Sequence, residues 1–210
     1  PVNPLSMTWT GEEIWVVDWM EPNVIRYDLE GNVFGQVNLN FNLIKGMGCD
    51  LESYVFLNSR EDELLHVIEL ESNDEVATID FHAAMDNADI WGIEWVRDHP
   101  DGQLWGNAEN HLYQVSVDDE WNVRSVQDFE SPGDRAFGGP AHDGKDLWVG
   151  GWANSTWFKI DDGITELRIV TIEPTFGEIE VENDVDVIAA VSTDDLIDGF
   201  YTGNIYFNSN

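Results

Sequence analysis

Apolar and polar residues alternate along this chain in short runs that are separated by polar turns. Residues 14–18 read Ile-Trp-Val-Val-Asp and residues 147–150 read Leu-Trp-Val-Gly, and each run is followed by a polar loop and a second apolar run. Side chains alternate between the two faces of a β-strand, so such runs predict strands with one face in a core. Helical patterns are scarce, and residues 81–88 predict a single turn.

The predicted strands recur as a repeated unit. The middle of the second strand falls at Trp15, Val55, Trp105, Trp148 and Ile188, which is a step of roughly 40 to 50 residues. Each unit begins with a short strand, rich in Gly in most units, and most units contain four strands. This period and strand count are typical of propeller blades, whereas an antiparallel sandwich, the alternative, has no reason to repeat its sequence.

We therefore predict an all-β fold, a five-bladed β-propeller of four-stranded antiparallel blades, in one domain over residues 1–210. The predicted blades span approximately residues 5–40, 44–82, 91–130, 136–173 and 175–210. Trp15, Trp105 and Trp148 fall in mid-strand and are predicted to lie in the core between blades. Closure of the ring is the weakest part of the pattern, because the last unit ends after its third strand.

Two of the units resemble a known repeat. Asp143-Gly144-x-x-Leu147-Trp148-Val149, followed by Phe158-Lys159-Ile160-Asp161, resembles the blades of extracellular propellers of the streptogramin-lyase, NHL and YVTN kind. Residues 11–31 resemble the same repeat. The resemblance implies propeller architecture and nothing narrower, because a fold does not determine a function.

A second resemblance concerns the third unit. Trp91-Gly92-Ile93-Glu94, followed by Leu104-Trp105, resembles a blade opening of plant-type glutaminyl cyclases. Those enzymes are five-bladed propellers with Trp around a central pocket and a catalytic Glu. Their other blade motifs are absent from this sequence, and no Glu aligns with their catalytic residue.

The charge of the chain narrows its partners and its setting. There are 42 Asp and Glu against 9 Lys and Arg, giving a net charge of -33 that is spread along the sequence. Such a surface repels nucleic acid and anionic membranes. At molar salt the screening length falls to about 3 Å, which removes most of the self-repulsion. The composition therefore indicates a halophilic setting, with an acidic extracellular or calcium-rich environment as the alternative.

Other sequence features bound the class of protein. No apolar run reaches the length of a membrane span, so no membrane insertion is expected. Cys49 is the single Cys and cannot form an intrachain disulfide, and we expect it to be buried. The chain begins at Pro1 without a signal peptide, so we expect a processed chain or part of a longer one.

Metal and catalytic signatures are weak. The five His are scattered without zinc-ligand spacing. Acidic clusters at residues 118–120, 161–163 and 194–195 offer carboxylates to calcium, but solvated turns are the favoured interpretation of each cluster. The sequence has no nucleophile elbow, phosphate loop or dinucleotide fingerprint. We expect no cofactor, with calcium as the one alternative, and assign no catalytic residue.

The aromatic residues suggest a site. Trp19 and Trp152 occupy equivalent places in two units, four residues after a mid-strand Trp, where the strand leaves for a loop. They either close the blade tops or, with nearby polar groups, form a rim suited to a sugar. The candidate ligand-binding residues are Trp19, Trp152, Asp18, Asn107, Glu109, Trp91 and Glu94.

These features predict a non-enzymatic binding or assembly propeller. We expect it outside the cytoplasm or on a cell or particle surface, with a protein or a glycan as partner and weak glycan binding at the channel mouth. The alternative is an enzyme with a channel-mouth pocket, glutaminyl-cyclase-like or lyase-like. A carboxylate with a raised pKa in a closed pocket would favour the enzyme.

Overall fold

A computed structural model describes residues 3–18, 21, 23–97, 99, 101–108, 110–132, 139–143, 146–150, 156–162, 170–173 and 188–191. The chain divides into two compact units, Pro1–Ile164 and Thr165–Asn210. In the second unit the described residues form one antiparallel pair, β16 (Val170–Glu173) with β17 (Ile188–Val191). The prediction of a single domain over residues 1–210 stays a prediction.

The first unit is built from antiparallel strands that pair in chain order. The sheet of blade one contains β1 (Pro4–Trp9), β2 (Ile14–Asp18), β3 (Asn23–Tyr27) and β4 (Val33–Asn38), and that of blade two contains β5 (Ile44–Cys49), β6 (Tyr54–Ser59), β7 (Leu65–Glu69) and β8 (Glu75–Ile79). The sheet of blade three contains β9 (Gly92–Trp95), β10 (Leu104–Ala108), β11 (His111–Val117) and β12 (Val123–Glu130). The sheet of blade four contains β13 (Ala141–His142), β14 (Leu147–Gly150) and β15 (Trp157–Ile160). A 3-10 helix, His82–Met85, precedes blade three. The all-β propeller with four-stranded antiparallel blades is confirmed.

The predicted number of blades was wrong. Within the described ranges the structure forms four blades, not five, and the fourth shows three strands. The predicted fourth blade, residues 136–173, includes the segment that forms β16, but β16 pairs with β17. An apolar, extended segment can pair with any strand that offers free backbone groups, and the sequence pattern does not encode which partner it takes. Apart from β17, the predicted fifth blade, residues 175–210, lies outside the described residues.

Glycine allows the innermost strands to touch. A Cβ atom on Gly46 would lie 2.6 Å from the carbonyl oxygen of Trp91, and one on Gly48 would lie 3.1 Å from the amide nitrogen of Trp95. A Cβ on Gly92 would come within 2.0 Å of the Cα of Gly139. Only Gly permits such close approach of two backbones. Gly46 lies against Trp91, and Gly48, two residues later, lies against Trp95. The innermost strands β5 and β9 therefore run parallel.

Parallel innermost strands give the blades two distinct faces. We call the face at which the innermost strands begin the upper face. In blades two and three it also carries the connection between the second and third strands. The opposite, lower face carries the turns that follow the first and third strands of blades one and two and the third strand of blade three.

Three apolar clusters fill the spaces between neighbouring blades. Trp15 and Met47 lie in the cluster between blades one and two, Phe56 and Ile93 in that between blades two and three, and Trp105 and Leu147 in that between blades three and four. The predicted burial of Trp15 and Trp105 is confirmed, at 1% and 0% exposure. These clusters hold the strands of the upper and lower faces in fixed positions.

Trp148 departs from the prediction. Its neighbours Leu147 and Val149 point toward blade three, so the alternation of the strand turns Trp148 to the opposite face of blade four. There it is half-buried, and its indole nitrogen donates a hydrogen bond to Asp143 Oδ2 at 2.7 Å. The mid-strand position was predicted correctly, but full burial was not.

No helix in the described part of the chain is both long and apolar enough to cross a membrane.

Candidate functional site

The upper face of blade three contains a cavity of about 500 Å³. The loop into β9 and the turn between β10 and β11 form most of its wall. We call it the upper cavity, and its lining residues are Ala88, Asp89, Trp91, Ala108, Asn110, His111 and Tyr113. It combines two large aromatic side chains with an imidazole, a carboxylate and an amide.

Hydrogen bonds from two blades hold Trp91 in place. Its amide donates to the carbonyl oxygen of Asn107 at 2.9 Å, and Asn107 Oδ1 accepts the amide hydrogen of Gly92 at 3.0 Å. Asn58 of blade two donates from Nδ2 to the carbonyl oxygens of Ile90, at 2.8 Å, and of Trp91. Both Asn side chains are fully buried. Asn107 therefore supports the backbone beneath the cavity and does not line it.

The indole of Trp91 is surrounded by charged groups. Its Nε1 donates to Asp89 Oδ2 at 3.2 Å, and Lys45 Nζ forms an ion pair with the other oxygen of Asp89. Lys45 Nζ lies 5.6 Å and the guanidinium carbon of Arg60 5.7 Å from the centre of the indole ring. These contacts fix the orientation of a ring that is itself half-exposed.

The opposite wall of the upper cavity carries Tyr113 and His111. Desolvation raises the pKa of Tyr113, and the nearby carboxylates of Asp86 and Asp128 raise it further. The hydroxyl therefore keeps its proton and can donate a hydrogen bond. His111 Nε2 lies 2.8 Å from Asp128 Oδ2, which fixes the imidazole at the cavity edge.

Glu94 lies in β9, two residues after Gly92, between blades three and four. Burial raises the pKa of its carboxyl to about 8, and a hydrogen bond from the amide of His142 opposes that shift. Residues at the same register in the other blades are Thr8, Gly48 and Ala141, so Glu94 is the one acid at this level of the described innermost strands. It forms no part of the upper cavity.

Cys49 lies near Glu94 at the lower end of β5. Burial raises the pKa of its thiol to about 12, and the carboxylates of Asp50 and Glu94 add to this. A thiol of this kind stays protonated and is a poor nucleophile. The prediction of a buried Cys is confirmed, at 6% exposure.

Of the four remaining predicted site residues, Asp18 is the one that the structure describes, and it does not line the upper cavity. Asp18 is buried, and its Oδ2 accepts the backbone amide hydrogen of Asn3 at 2.9 Å. Trp19, Trp152 and Glu109 lie outside the described residues. No group of three or more metal-ligating side chains occurs in the ranges that the structure describes.

Lys45, Arg60, Asn58 and Tyr113 were not predicted as part of the site. Lys45 and Asn58 belong to blade two, and only the packing of blades brings them to a loop of blade three. The sequence contains only three Lys, and the scarcity of this residue type was a signal that could have drawn attention to Lys45.

No family model and no curated protein sequence matches the chain. The glutaminyl cyclase of Myxococcus xanthus is similar in structure, with a TM-score of 0.59 and 12% identity over 75% of this chain and 65% of that one. A functionally unknown protein from Desulfotomaculum acetoxidans DSM 771 aligns with a TM-score of 0.53 and 12% identity over 72% of this chain and 49% of that one.

The WD40 repeats of RRP9 align with a TM-score of 0.47 and 13% identity over 75% of this chain and 50% of that one. The chain thus spans between 49% and 65% of the length of these three structures. At such identities a structural likeness shows the fold alone. The chain is similar to known proteins as a β-propeller.

Proposed function

We propose that this chain is a non-enzymatic binding propeller whose upper cavity takes an uncharged carbohydrate. The observation that carries the proposal is the composition of the cavity wall. Trp91 offers a half-exposed ring and Tyr113 a largely buried one, and Asp89, Asn110 and His111 offer hydrogen-bonding groups around them. A sugar has an apolar face and a polar rim, which is the shape that such a wall complements.

The electrostatics of the chain support an uncharged ligand. With a net charge of -33, the surface disfavours polyanions such as nucleic acid or sulfated chains. Within the cavity, Asp89 is already paired with Lys45, so the local charge is largely compensated. Hydrogen bonds and ring stacking then supply the binding energy. Stacking contributes about 1 kcal/mol per ring, so we expect the affinity for the carbohydrate to be weak.

A glycan array in molar potassium chloride tests the proposal. The wild-type protein is compared with Trp91→Ala and with Trp157→Ala, whose ring is 68% exposed on blade four and far in sequence from the cavity. We expect the wild-type protein and Trp157→Ala to bind the same uncharged glycans and Trp91→Ala to lose about fivefold or more in affinity. Absence of glycan binding, or equal binding by all three, would refute the proposal and favour a protein partner.

A second candidate function is acid–base catalysis by Glu94, a residue that does not align with the catalytic Glu of the glutaminyl cyclases. Its support is the carboxyl pKa of about 8, which lies near neutrality as a general acid or base requires. The likeness in fold to the Myxococcus xanthus enzyme adds only architecture. Glu94 lines neither the upper cavity nor the two further cavities that the structure describes here, and for this reason catalysis ranks below binding.

Incubation with a peptide that begins with glutamine tests this second candidate. If Glu94 is catalytic, mass spectrometry detects loss of ammonia from the peptide, and Glu94→Gln abolishes it. The rate of the wild-type protein then changes with pH around the pKa of Glu94. A peptide that stays unchanged, or is converted equally by Glu94→Gln, excludes Glu94 as the catalytic group.

The setting that we propose is a salt-rich environment outside the cytoplasm, at a cell or particle surface. The excess of 42 acidic over 9 basic residues supports high salt, because only strong screening makes so much like charge tolerable. A protein partner at the same surface is the alternative to a glycan.

A further inference from the structure

The lower face has a cavity of its own between blades two and three, with a volume of about 320 Å³. We call it the lower cavity. Its lining residues are Asp50, Tyr54, Phe56, Trp95, Gln103, Val117, Asp118, Asp119 and Trp121. Four of the nine are aromatic and three are acidic, and neither the proposed carbohydrate site nor Glu94 uses this cavity.

The aromatic side chains form a connected wall. Trp95 stacks on Phe56 with ring centres 4.2 Å apart and an angle of 9° between the ring planes. Trp121 meets Tyr54 edge to face, at 5.2 Å and 82°. Tyr54, Trp95 and Trp121 are each partly exposed, whereas Phe56 is fully buried beneath them. The three rings thus line the cavity in different orientations while each keeps part of its surface exposed.

Trp121 has a backbone conformation that suits a smaller residue. Its φ is 66°, in the left-handed region that a bulky side chain rarely adopts. The equivalent turns in the first two blades have Gly31 at φ 83° and Asn73 at φ 60°, the residue types that tolerate this conformation. A Trp at this position costs stability locally, so the contacts of its ring must compensate.

Two of the three carboxylates of the lower cavity, those of Asp50 and Asp118, are held by the turns that contain them. Asp50 Oδ1 accepts the amide hydrogens of Glu52, Ser53 and Tyr54 at 2.8–2.9 Å. Asp118 accepts hydrogen bonds from Asn122 and from the amide of Glu120. The Asn122 side chain and amide lower the pKa of Asp118, so it remains ionised. These carboxylates form a fixed anionic edge.

The neighbouring cavity between blades one and two shows what such a space accepts. It occupies the same place on the lower face, and there Arg26 lies 5.6 Å from the centre of the Trp15 ring and pairs with Glu13. Arg26 is the cross-strand partner of Trp15, and the corresponding partner of Phe56 is Val67. The first cavity therefore contains a cation of the chain itself where the second has an apolar residue.

No described Lys or Arg lines the lower cavity. The cation–ring contacts among the described residues involve Trp15, Phe34 and Trp91, not the rings of this wall. Arg97, on the adjoining loop, donates to Glu52 at 3.1 Å and does not line the cavity. Aromatic faces and fixed carboxylates without an internal cation are complementary to an external one.

We propose that the lower cavity binds an alkylammonium cation, held by the rings of Tyr54, Trp95 and Trp121 beside the carboxylates of Asp50, Asp118 and Asp119. The ligand is a small quaternary ammonium compound or the methylated ammonium group of a lysine side chain. Both sources present the same positive, apolar head group, and the attraction of the ring faces for it acts at short range. Strong screening by salt therefore weakens it little.

Titration calorimetry at constant molar potassium chloride tests this proposal. Choline is compared with 3,3-dimethyl-1-butanol, which has the same shape without the charge. We expect choline to bind at least about tenfold more tightly than the alcohol, as cation–ring attraction in a partly desolvated site predicts. No binding of choline, or equal binding of the two, overturns the proposal.

Variants assign the binding to this cavity. We expect Trp121→Ala and Asp119→Asn to weaken choline binding and Trp157→Ala to leave it unchanged. Trp121→Phe retains a ring and replaces Trp121→Ala in the experiment if the latter does not fold. We expect Trp121→Phe to retain part of the affinity for choline. Unchanged choline binding in Trp121→Ala, or in Trp121→Phe together with Asp119→Asn, overturns the assignment.

Trimethyllysine amide distinguishes the two sources of the cation. Equal affinity for choline and for this amide supports recognition of the head group alone, in which case a small compound is the ligand. Tighter binding of the amide supports a methylated lysine side chain. Failure of all three compounds to bind overturns the proposal and leaves the carbohydrate proposal for the upper cavity unaffected.

Discussion

Gly92 shows at the scale of one residue how closely the blades meet. A Cβ atom at this position would lie 2.0 Å from the Cα of Gly139, which no side-chain adjustment can relieve because the neighbour is backbone. Gly92 also donates its amide hydrogen to the side-chain oxygen of Asn107, whose carbonyl oxygen accepts the amide hydrogen of Trp91. One missing side chain thus serves the fold and the upper cavity together.

We expect Gly92→Ala to destabilise the protein by about 3 kcal/mol or more, since overpacking a fixed backbone contact costs at least the upper part of the usual range. Gly35→Ala is the matched control, because nothing lies within 4 Å of its Cβ position and it lies in an outer strand. The control should change stability little or raise it slightly. Urea unfolding measures both, and equal effects would contradict the contact between β9 and blade four.

The two aligned Trp residues provide a second comparison at this scale. Trp105 is fully buried between blades three and four, so Trp105→Ala should cost about 3–5 kcal/mol through loss of apolar contacts and the cavity left behind. Trp148 is half-buried on the other face of blade four, so Trp148→Ala should reduce the free energy of unfolding by clearly less. Unfolding in denaturant measures the free energy of unfolding of both variants. A greater loss at Trp148 would show that blade four is oriented differently.

At the scale of the element, β9 contains both Gly92 and an acid whose titration should be visible. Burial raises the pKa of Glu94 from 4.5 to about 8. Between those values the folded state binds a proton that the unfolded state has released, so rising pH favours unfolding. The stabilising contribution is complete below pH 4.5 and is lost by about pH 8.

We expect Glu94→Gln to match the wild-type protein near pH 4.5 and to exceed its stability increasingly up to pH 8, by about 1.4 kcal/mol per pH unit at most. Comparing the two proteins cancels the titration of the other acids. Urea unfolding across this pH range gives the difference directly. A difference that does not change with pH means that the Glu94 carboxyl is hydrated in the folded state.

The strands were predictable because their signal is local. Alternation around Trp15 and Trp105 placed both side chains in the core, and the Gly-rich first strands were found from Gly46, Gly48 and Gly92. The partner of β16 was not predictable, because pairing depends on which extended segment is near in space. The same holds for Lys45 and Asn58, which reach Trp91 from another blade.

At the scale of the whole molecule, charge dominates. With 42 acidic and 9 basic residues, repulsion between carboxylates should weaken the folded state in dilute salt. We expect the Tm to rise by on the order of 10 °C between dilute and molar potassium chloride, since each kcal/mol shifts the Tm of a chain of this size by about 2–4 °C. Calorimetry measures it, and sucrose controls for solute exclusion. A flat Tm would contradict the halophilic setting.

The upper and lower faces differ in their chemistry, which makes the binding sites separable. The upper cavity joins Trp91 and Tyr113 to hydrogen-bonding groups with compensated charge. The lower cavity joins Trp95 and Trp121 to fixed carboxylates. A two-dimensional NMR spectrum of the indole N–H groups distinguishes them, because each of the ten Trp gives its own signal. Trp91→Phe and Trp121→Phe identify the signals by their disappearance.

The most direct test of carbohydrate binding at the upper cavity is a titration of this spectrum with the best uncharged oligosaccharide from the array. We expect the Trp91 signal to move in proportion to occupancy while the Trp121 signal stays in place. The Trp157 signal, from an exposed ring on blade four, should stay as well. A saturating oligosaccharide that leaves the Trp91 signal unmoved would contradict a binding site at the upper cavity.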